Sequence, residues 1–129
     1  MERRKVSRVL ISVSDKGKLI NFAKSLDSLD IEIVSTGGTA KAIAAEGIKV
    51  ISVEDVTNFP EMMDGRLKTL HPLIFGGILA RDSDLEDIKK HKIDFFDMVV
   101  CNLYPFQEAV SQGAELKSLI EKIDIGGPS

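Results

Sequence analysis

Short apolar runs alternate along the chain with stretches whose apolar residues recur at helical spacing. "RVLISV", residues 8 to 13, is a β-rich run, and the polar "SDKGK" after it offers Ser14 or Asp15 as the cap of a helix. On that helix Leu19, Phe22, Ala23, Leu26 and Leu29 fall on one face. "IEIVS" (31 to 35) repeats the strand. "TAKAIAAEG" (39 to 47) repeats the helix and ends on Gly47, a residue suited to a left-handed terminus, and "IKVISV" (48 to 53) supplies a third strand. Strand and helix in alternation make βαβ units, so the predicted sheet is parallel.

The pattern loosens after residue 53. "EDVTNFPEMMDGRLKTLHPLIFGGILARD" carries Pro60, Gly65, Pro72, Gly76 and Gly77 and is too polar at its centre for a core strand, so it reads as one long irregular stretch of the kind that usually serves function. A charged helix, "DLEDIKKHK", then leads to a buried strand from Met98 to Leu103. In "AELKSLIEKI" residues Leu116, Leu119, Ile120 and Ile123 share one helical face. The ending "IDIGGPS" reads as a tight turn with Pro128 at the first position of a helix that does not follow, which gives the expectation of a chain cut short.

Composition narrows the classes. At 129 residues, 43% apolar and 29% charged, the chain suits one globular domain spanning residues 1 to 129. It has no apolar run long enough to span a membrane and no secretory leader, so the expected location is cytoplasmic, with no membrane partner. One cysteine and two histidines offer neither a disulfide framework nor zinc-ligand spacing. The net charge of −3 is mild and the basic residues are scattered, which argues against nucleic-acid binding. Any anionic partner should be small and held locally.

Four stretches carry candidate chemistry. Ser35-Thr36-Gly37-Gly38-Thr39 joins a strand directly to a helix, so backbone N–H groups, hydroxyls and the positive end of the helix dipole can converge on a phosphate. There the glycines would admit a close anion and positive φ, and Thr39 could cap the helix while donating to the phosphate. The spacing matches neither a dinucleotide fingerprint nor a P-loop, and an ordinary strand-to-helix loop has the same composition. In "DGRLKTLHP" Arg66 and Lys68 stand two apart beside Thr69, able to clamp an anionic or carbonyl group, or to form a solvated basic loop. His71 before Pro72 reads as a turn or packing residue. "CNLYPF" places Asn102 and Tyr104 at the carboxyl edge of a buried strand, where open α/β sheets bind ligands and a phenol can donate to an oxyanion. Alternatively Tyr104 only covers the core edge, and Cys101 reads as a small buried hydrophobe. Asp124 in "KIDIGG" can orient an amide or take its proton, or can cap a turn.

Taken in order, "SVSDK", "STGGTAKA", "GRLKTLHP", "GGILAR", "CNLYPF" and "IDIGG" resemble the IMP cyclohydrolase domain of the bifunctional purine-biosynthesis enzymes that also carry AICAR formyltransferase. The likeness runs from Ser7 to the end. It implies a methylglyoxal synthase-like fold: α/β, a doubly wound parallel sheet with helices on both faces. It also implies closure of 5-formamidoimidazole-4-carboxamide ribonucleotide (FAICAR) to IMP with loss of water, without a cofactor or metal, in a homodimer. Carried over by motif, Ser35, Gly37, Gly38 and Thr39 would hold the 5′-phosphate with Ser12, Ser14 and Lys16. Arg66, Lys68 and Thr69 would contact substrate, Lys68 nearest the reacting groups. Tyr104 would donate to the oxyanion and Asp124 would orient the carboxamide, while Cys101, Asn102, Ile125 and Gly126 would line the base site. Relatives of this kind continue past the glycine turn into an "AAKN"-like segment with a further catalytic lysine, so the resemblance implies weakened catalysis here.

Two rivals share the implied fold. Methylglyoxal synthase would bind a small phosphate, but its acidic pair and downstream histidine have no match in this chain. A regulatory nucleotide-binding module, like that of carbamoyl-phosphate synthetase, would account for "STGGT" while leaving "LKTLHP", "NLYPF" and "IDIGG" without a joint task.

Overall fold

The computed structural model describes residues 5–13, 16–63, 67–102 and 116. Four parallel strands, β1 (Arg8–Ser12), β2 (Glu32–Ser35), β3 (Ile51–Ser52) and β4 (Met98–Cys101), lie in the order β3-β2-β1-β4. Helices α1 (Leu19–Ser28) and α2 (Gly37–Ala45) join the first three strands. Between β3 and β4 come α3 (Val53–Thr57), α4 (Pro72–Leu79), a 3-10 turn (Asp82–Asp84) and α5 (Leu85–Lys90).

Side-chain alternation along the strands divides the core in two. Val9, Ile11 and Ile33 meet Leu19, Ala23 and Leu26 of α1 and Ile43 of α2 on one side of the sheet. Leu10 and Val34 point the other way, toward Val53 of α3 and Ile74 of α4. Helices therefore cover both faces and the sheet is doubly wound, as the resemblance implied. Parallel strands buried on both sides need apolar residues at successive positions, and "VLI" and "IV" supply them.

Several boundaries differ from the sequence expectation. Helix α1 starts at Leu19 with Lys18 as its N-cap and no side-chain capping bond; Ser14 and Asp15, the expected caps, lie outside the described residues. Leu19, Ala23 and Leu26 are buried as predicted, but Phe22 and Leu29 are exposed. Strand β3 is only two residues long, because Val53 already begins α3 once the Ser52 hydroxyl accepts the Asp55 N–H at 3.2 Å. The stretch expected to be irregular contains α3 and α4. Its prolines and glycines do not all break structure: Pro72 sits at the first helical position, where no N–H is needed, and His71 caps α4 by accepting the Leu73 N–H on Nδ1 at 3.1 Å. Gly47 ends α2 at φ 76°, the left-handed terminus predicted for it. Of the expected final helix, only Leu116 lies among the described residues, helical and exposed. Leu103 and the glycine-proline ending fall outside them.

At the amino ends of the strands one carboxylate ties β1 to the entry of β4. Asp97 Oδ2 accepts the Ser7 N–H at 2.8 Å, the Ser7 hydroxyl at 2.9 Å and the Arg8 N–H at 3.0 Å. The Arg8 side chain is buried beneath it, donating to Glu32 Oε2 at 2.7 Å and to the Asp94 carbonyl at 3.3 Å, with its guanidinium 4.4 Å from the centre of the Phe96 ring. Removing the acceptor with Asp97→Ala strands two backbone donors at the strand entry. The expected loss is about 2 kcal/mol, measurable by urea denaturation; an unchanged midpoint would show that water replaces the carboxylate without cost. At the turn before α5, the Arg81 guanidinium holds the half-buried Asp84 carboxyl below its ordinary value through side-chain hydrogen bonds at 3.0 Å. Among the described residues no helix is long and apolar enough to cross a membrane.

Candidate functional site

The strand order makes a crevice. From β1 the chain runs through β2 to β3 on one side and returns to β4 on the other, so the connections diverge between β1 and β4, at the carboxyl ends where doubly wound sheets take their ligands. Register brings the candidate residues to that rim: Ser12 lies beside Cys101 and Ile11 beside Ser35.

Most of the rim hydroxyls brace the rim itself. Ser35, fully buried, donates to the Ile11 carbonyl at 2.7 Å. Thr36 donates to Ser12 Oγ at 3.2 Å. Thr39, also buried, donates to the Val13 carbonyl at 3.0 Å, and the Val13 N–H points back at its oxygen at 3.4 Å. Thr39 thus does not cap α2, contrary to expectation. The helix starts two residues earlier than predicted, with Thr36 in extended conformation at the N-cap and no side chain accepting from the first turn. Gly37 and Gly38 are consequently its first two residues, and neither has the positive φ foreseen for them. Their contribution is smallness beside uncapped N–H groups: a Cβ on Gly38 would meet nothing within 4 Å. The outcome is a helix N-terminus that no side chain caps, with a network of hydroxyl hydrogen bonds behind it.

The other candidates stand around this turn. Lys16 is exposed and its Nζ donates to the Val13 carbonyl at 3.2 Å. Lys68 is half-buried, directly after the antiparallel pairing of Met62 with Leu67, and among the described residues no ion pair engages it. Thr69 is buried and its carbonyl accepts the His71 N–H at 2.8 Å, an arrangement that shapes the entry to α4. Asn102 is half-buried at the edge of an open cleft of about 670 Å³ between α1 and the end of β4, bordered also by Val13, Lys18, Phe22 and Val100. Cys101 is exposed, a correction to the buried position expected for it; β4 pairs only with β1 among the described strands, and Met98 and Val99 share its exposure. Ser14, Arg66, Tyr104, Asp124, Ile125 and Gly126 lie outside the described residues. Among those described, no three His, Cys, Asp or Glu side chains gather as metal ligands would.

Two residues at the site escaped the sequence reading. Thr36 sits within the motif, yet only the register of β1 against β2 shows its hydroxyl meeting Ser12. Glu61 carried no signal at all: it lies in the loop after α3, and its carboxylate reaches the first turn of α2, where Oε2 is 2.8 Å from the position of a Cβ on Gly37.

Comparison with known proteins agrees with this architecture. Residues 18–129 match the MGS-like domain family. The chain is 57% identical over 129 residues to a protein of Bradyrhizobium diazoefficiens named bifunctional purine biosynthesis protein PurH, covering 98% of this chain and 24% of that protein. It is 52% identical over 128 residues to the Ruminiclostridium cellulolyticum protein of the same name, covering 96% of this chain and 25% of the relative. It therefore spans about a quarter of the length of the curated relatives it matches. A solved structure titled "Crystal structure of ForH" superposes with a TM-score of 0.75 at 31% identity, covering 96% of this chain and 65% of that one. With its parallel sheet wound in both directions from β1 and a match over nearly its whole length, this chain belongs to the MGS-like domain family.

Proposed function

We propose that this chain is an IMP cyclohydrolase domain that closes FAICAR to IMP. The observation that carries the reading is the uncapped N-terminus of α2, set at the sheet's carboxyl rim beside the β1/β4 crevice; identity of 52–57% to proteins named for purine biosynthesis supports the choice of ligand. The first-turn N–H groups and helix dipole suit a 5′-phosphate. A nucleotide anchored there can direct its base along the rim toward Asn102 and Lys68.

The chemistry asks for positioning more than reactivity. In FAICAR the carboxamide nitrogen attacks the formyl carbon on the neighbouring ring substituent, and the formyl oxygen leaves as water with one hydrogen from each of the two nitrogens. Both partners are already on one molecule, so a site that holds them at attack distance and donates to the developing oxyanion supplies most of the acceleration. Lys68 is the described cation available for that donation. Tyr104 as a second donor and Asp124 as the group orienting the carboxamide belong to the same proposal, as do Ser12, Lys16, Gly37 and Gly38 around the phosphate. A homodimer in the cytoplasm is part of this reading too, and sedimentation at micromolar concentration measures the assembly.

The direct test is turnover: purified protein mixed with FAICAR should form IMP, followed by absorbance, and no cyclisation above the uncatalysed rate would remove the proposal. A second measurement addresses the cradle. Helical Cβ atoms lean toward the helix N-terminus, so Gly38→Ala places a methyl where the phosphate would dock while filling empty space in the fold. Melting should be unchanged or slightly raised, because alanine favours helix by up to about 1 kcal/mol over glycine, while calorimetry should find IMP affinity reduced roughly tenfold, the equivalent of ~1.4 kcal/mol. Unchanged affinity would place the phosphate elsewhere.

A further inference from the structure

The carboxylate of Glu61 lies against the first residue of α2, at the helix N-terminus read above as the phosphate site. Its Oε2 lies 2.8 Å from the position of a Gly37 Cβ, with Oε1 at 3.7 Å, against the first residue of α2. No side chain of the N-cap accepts from this turn, since the Thr36 hydroxyl is turned to Ser12 and the Thr39 hydroxyl to Val13. A negative charge there is favoured by the helix dipole. The position is held from outside: the Glu61 N–H donates to Glu54 Oε1 of α3 at 3.0 Å, and the next residue, Met62, pairs with Leu67 on both hydrogen bonds, at 3.1 and 3.3 Å.

We infer that Glu61 is an internal counter-anion of the cradle, which the ligand's phosphate must displace in order to bind. This rests on reading the α2 N-terminus as the phosphate site. Two anions cannot share one helix terminus without repulsion, so phosphate entry requires the Glu61 carboxylate to swing outward. The side chain is flexible and only half-buried, so the swing needs no unfolding. Empty, the cradle keeps its charge satisfied and rejects weak anions; occupied, it releases Glu61 and with it the strand-like pair Met62 and Leu67 that precedes Lys68. The carboxylate therefore sets the affinity threshold of the site and connects arrival of the phosphate to the loop bearing the candidate catalytic lysine.

The test is Glu61→Gln, which keeps size and removes charge, with Glu61→Asp as a second variant whose carboxylate is too short to reach Gly37. Calorimetry with IMP and with inorganic phosphate should show binding about tenfold tighter than the parent for Glu61→Gln, and tighter by a smaller factor for Glu61→Asp. Affinity for inosine, which has no phosphate, should be the same in all three proteins. A merely structural role for Glu61 would weaken all ligands together or change none. Parent and Glu61→Gln binding IMP equally, or the variant binding more weakly, would overturn the inference while leaving the phosphate site in place. If neither protein bound IMP or phosphate, the reading of the cradle itself would fail, and this inference with it.

Discussion

Replacing Lys68 by alanine should lower the rate of FAICAR cyclisation by about a hundredfold or more, the usual cost of deleting a donor aimed at a developing oxyanion. Affinity for IMP should fall by much less. The expectation follows from where the ammonium sits. Lys68 follows directly on Leu67, whose backbone is paired with Met62, and precedes Thr69, which is buried, so its backbone is anchored on both sides while its side chain stays half-buried. Among the described residues it is not neutralised by a carboxylate. A cation kept in that state can strengthen its contact as negative charge gathers on the formyl oxygen, and an interaction of that kind shows up in kcat more than in ground-state binding. Single-turnover rates and IMP titrations on parent and Lys68→Ala separate the two. Equal losses in both would favour a module that binds nucleotides without transforming them.

Gly77→Ala should be the most damaging single-methyl change among the described glycines, lowering stability by about 2–3 kcal/mol and the melting temperature by roughly 10 °C. A Cβ at Gly77 would run into the carbonyl oxygen of Asp94 and lie 3.0 Å from the Phe96 ring. Backbone cannot step aside as a side-chain tip can. The obstructed segment is bonded to Gly77 itself, through Phe96 N–H to the Gly77 carbonyl at 2.9 Å, and carries the Arg8 contacts that join β1 to β4. Any retreat of Asp94 or Phe96 is therefore transmitted to the amino end of the sheet. The neighbouring Gly76→Ala is the control: its new methyl meets the terminal carbons of Ile93, at 2.8 Å, which can rotate away. A change within about 1 kcal/mol is expected there, after the helix-propensity gain of alanine. Thermal melts of the two variants should diverge clearly; coincident curves would show that the segment entering β4 is more compliant than its contacts suggest.

The two glycine pairs show what could be read from the chain and what could not. "GG" at 37–38 and "GG" at 76–77 look alike in sequence. In the fold the first pair opens a helix, Gly38 onto empty space and Gly37 beside the Glu61 carboxylate, and the second packs a helix against the Ile93 side chain and a crossing backbone. A similar contrast separates Ser12, Ser35 and Thr39, hydroxyl residues grouped as phosphate ligands by their motifs. Ser35 and Thr39 are hydrogen-bonded inward, so under the proposed reading the phosphate would be left to main-chain N–H groups, which every sequence possesses and none advertises.

Periodicity was enough to announce alternating strands and helices and a parallel sheet, because those features depend on residues close together in the chain and on a repeat that local sterics enforce. The helices hidden in residues 53 to 79 were missed because their start signals, a serine cap and a histidine-proline pair, are short and their apolar residues only make sense once Leu10 and Val34 are opposite them. Which hydroxyls turn inward, and the arrival of Glu61 at Gly37 across some twenty residues of intervening chain, are consequences of strand register and of how α3 and α4 close over the sheet. Contacts of that range are set by packing, and packing is a property of the assembled layers.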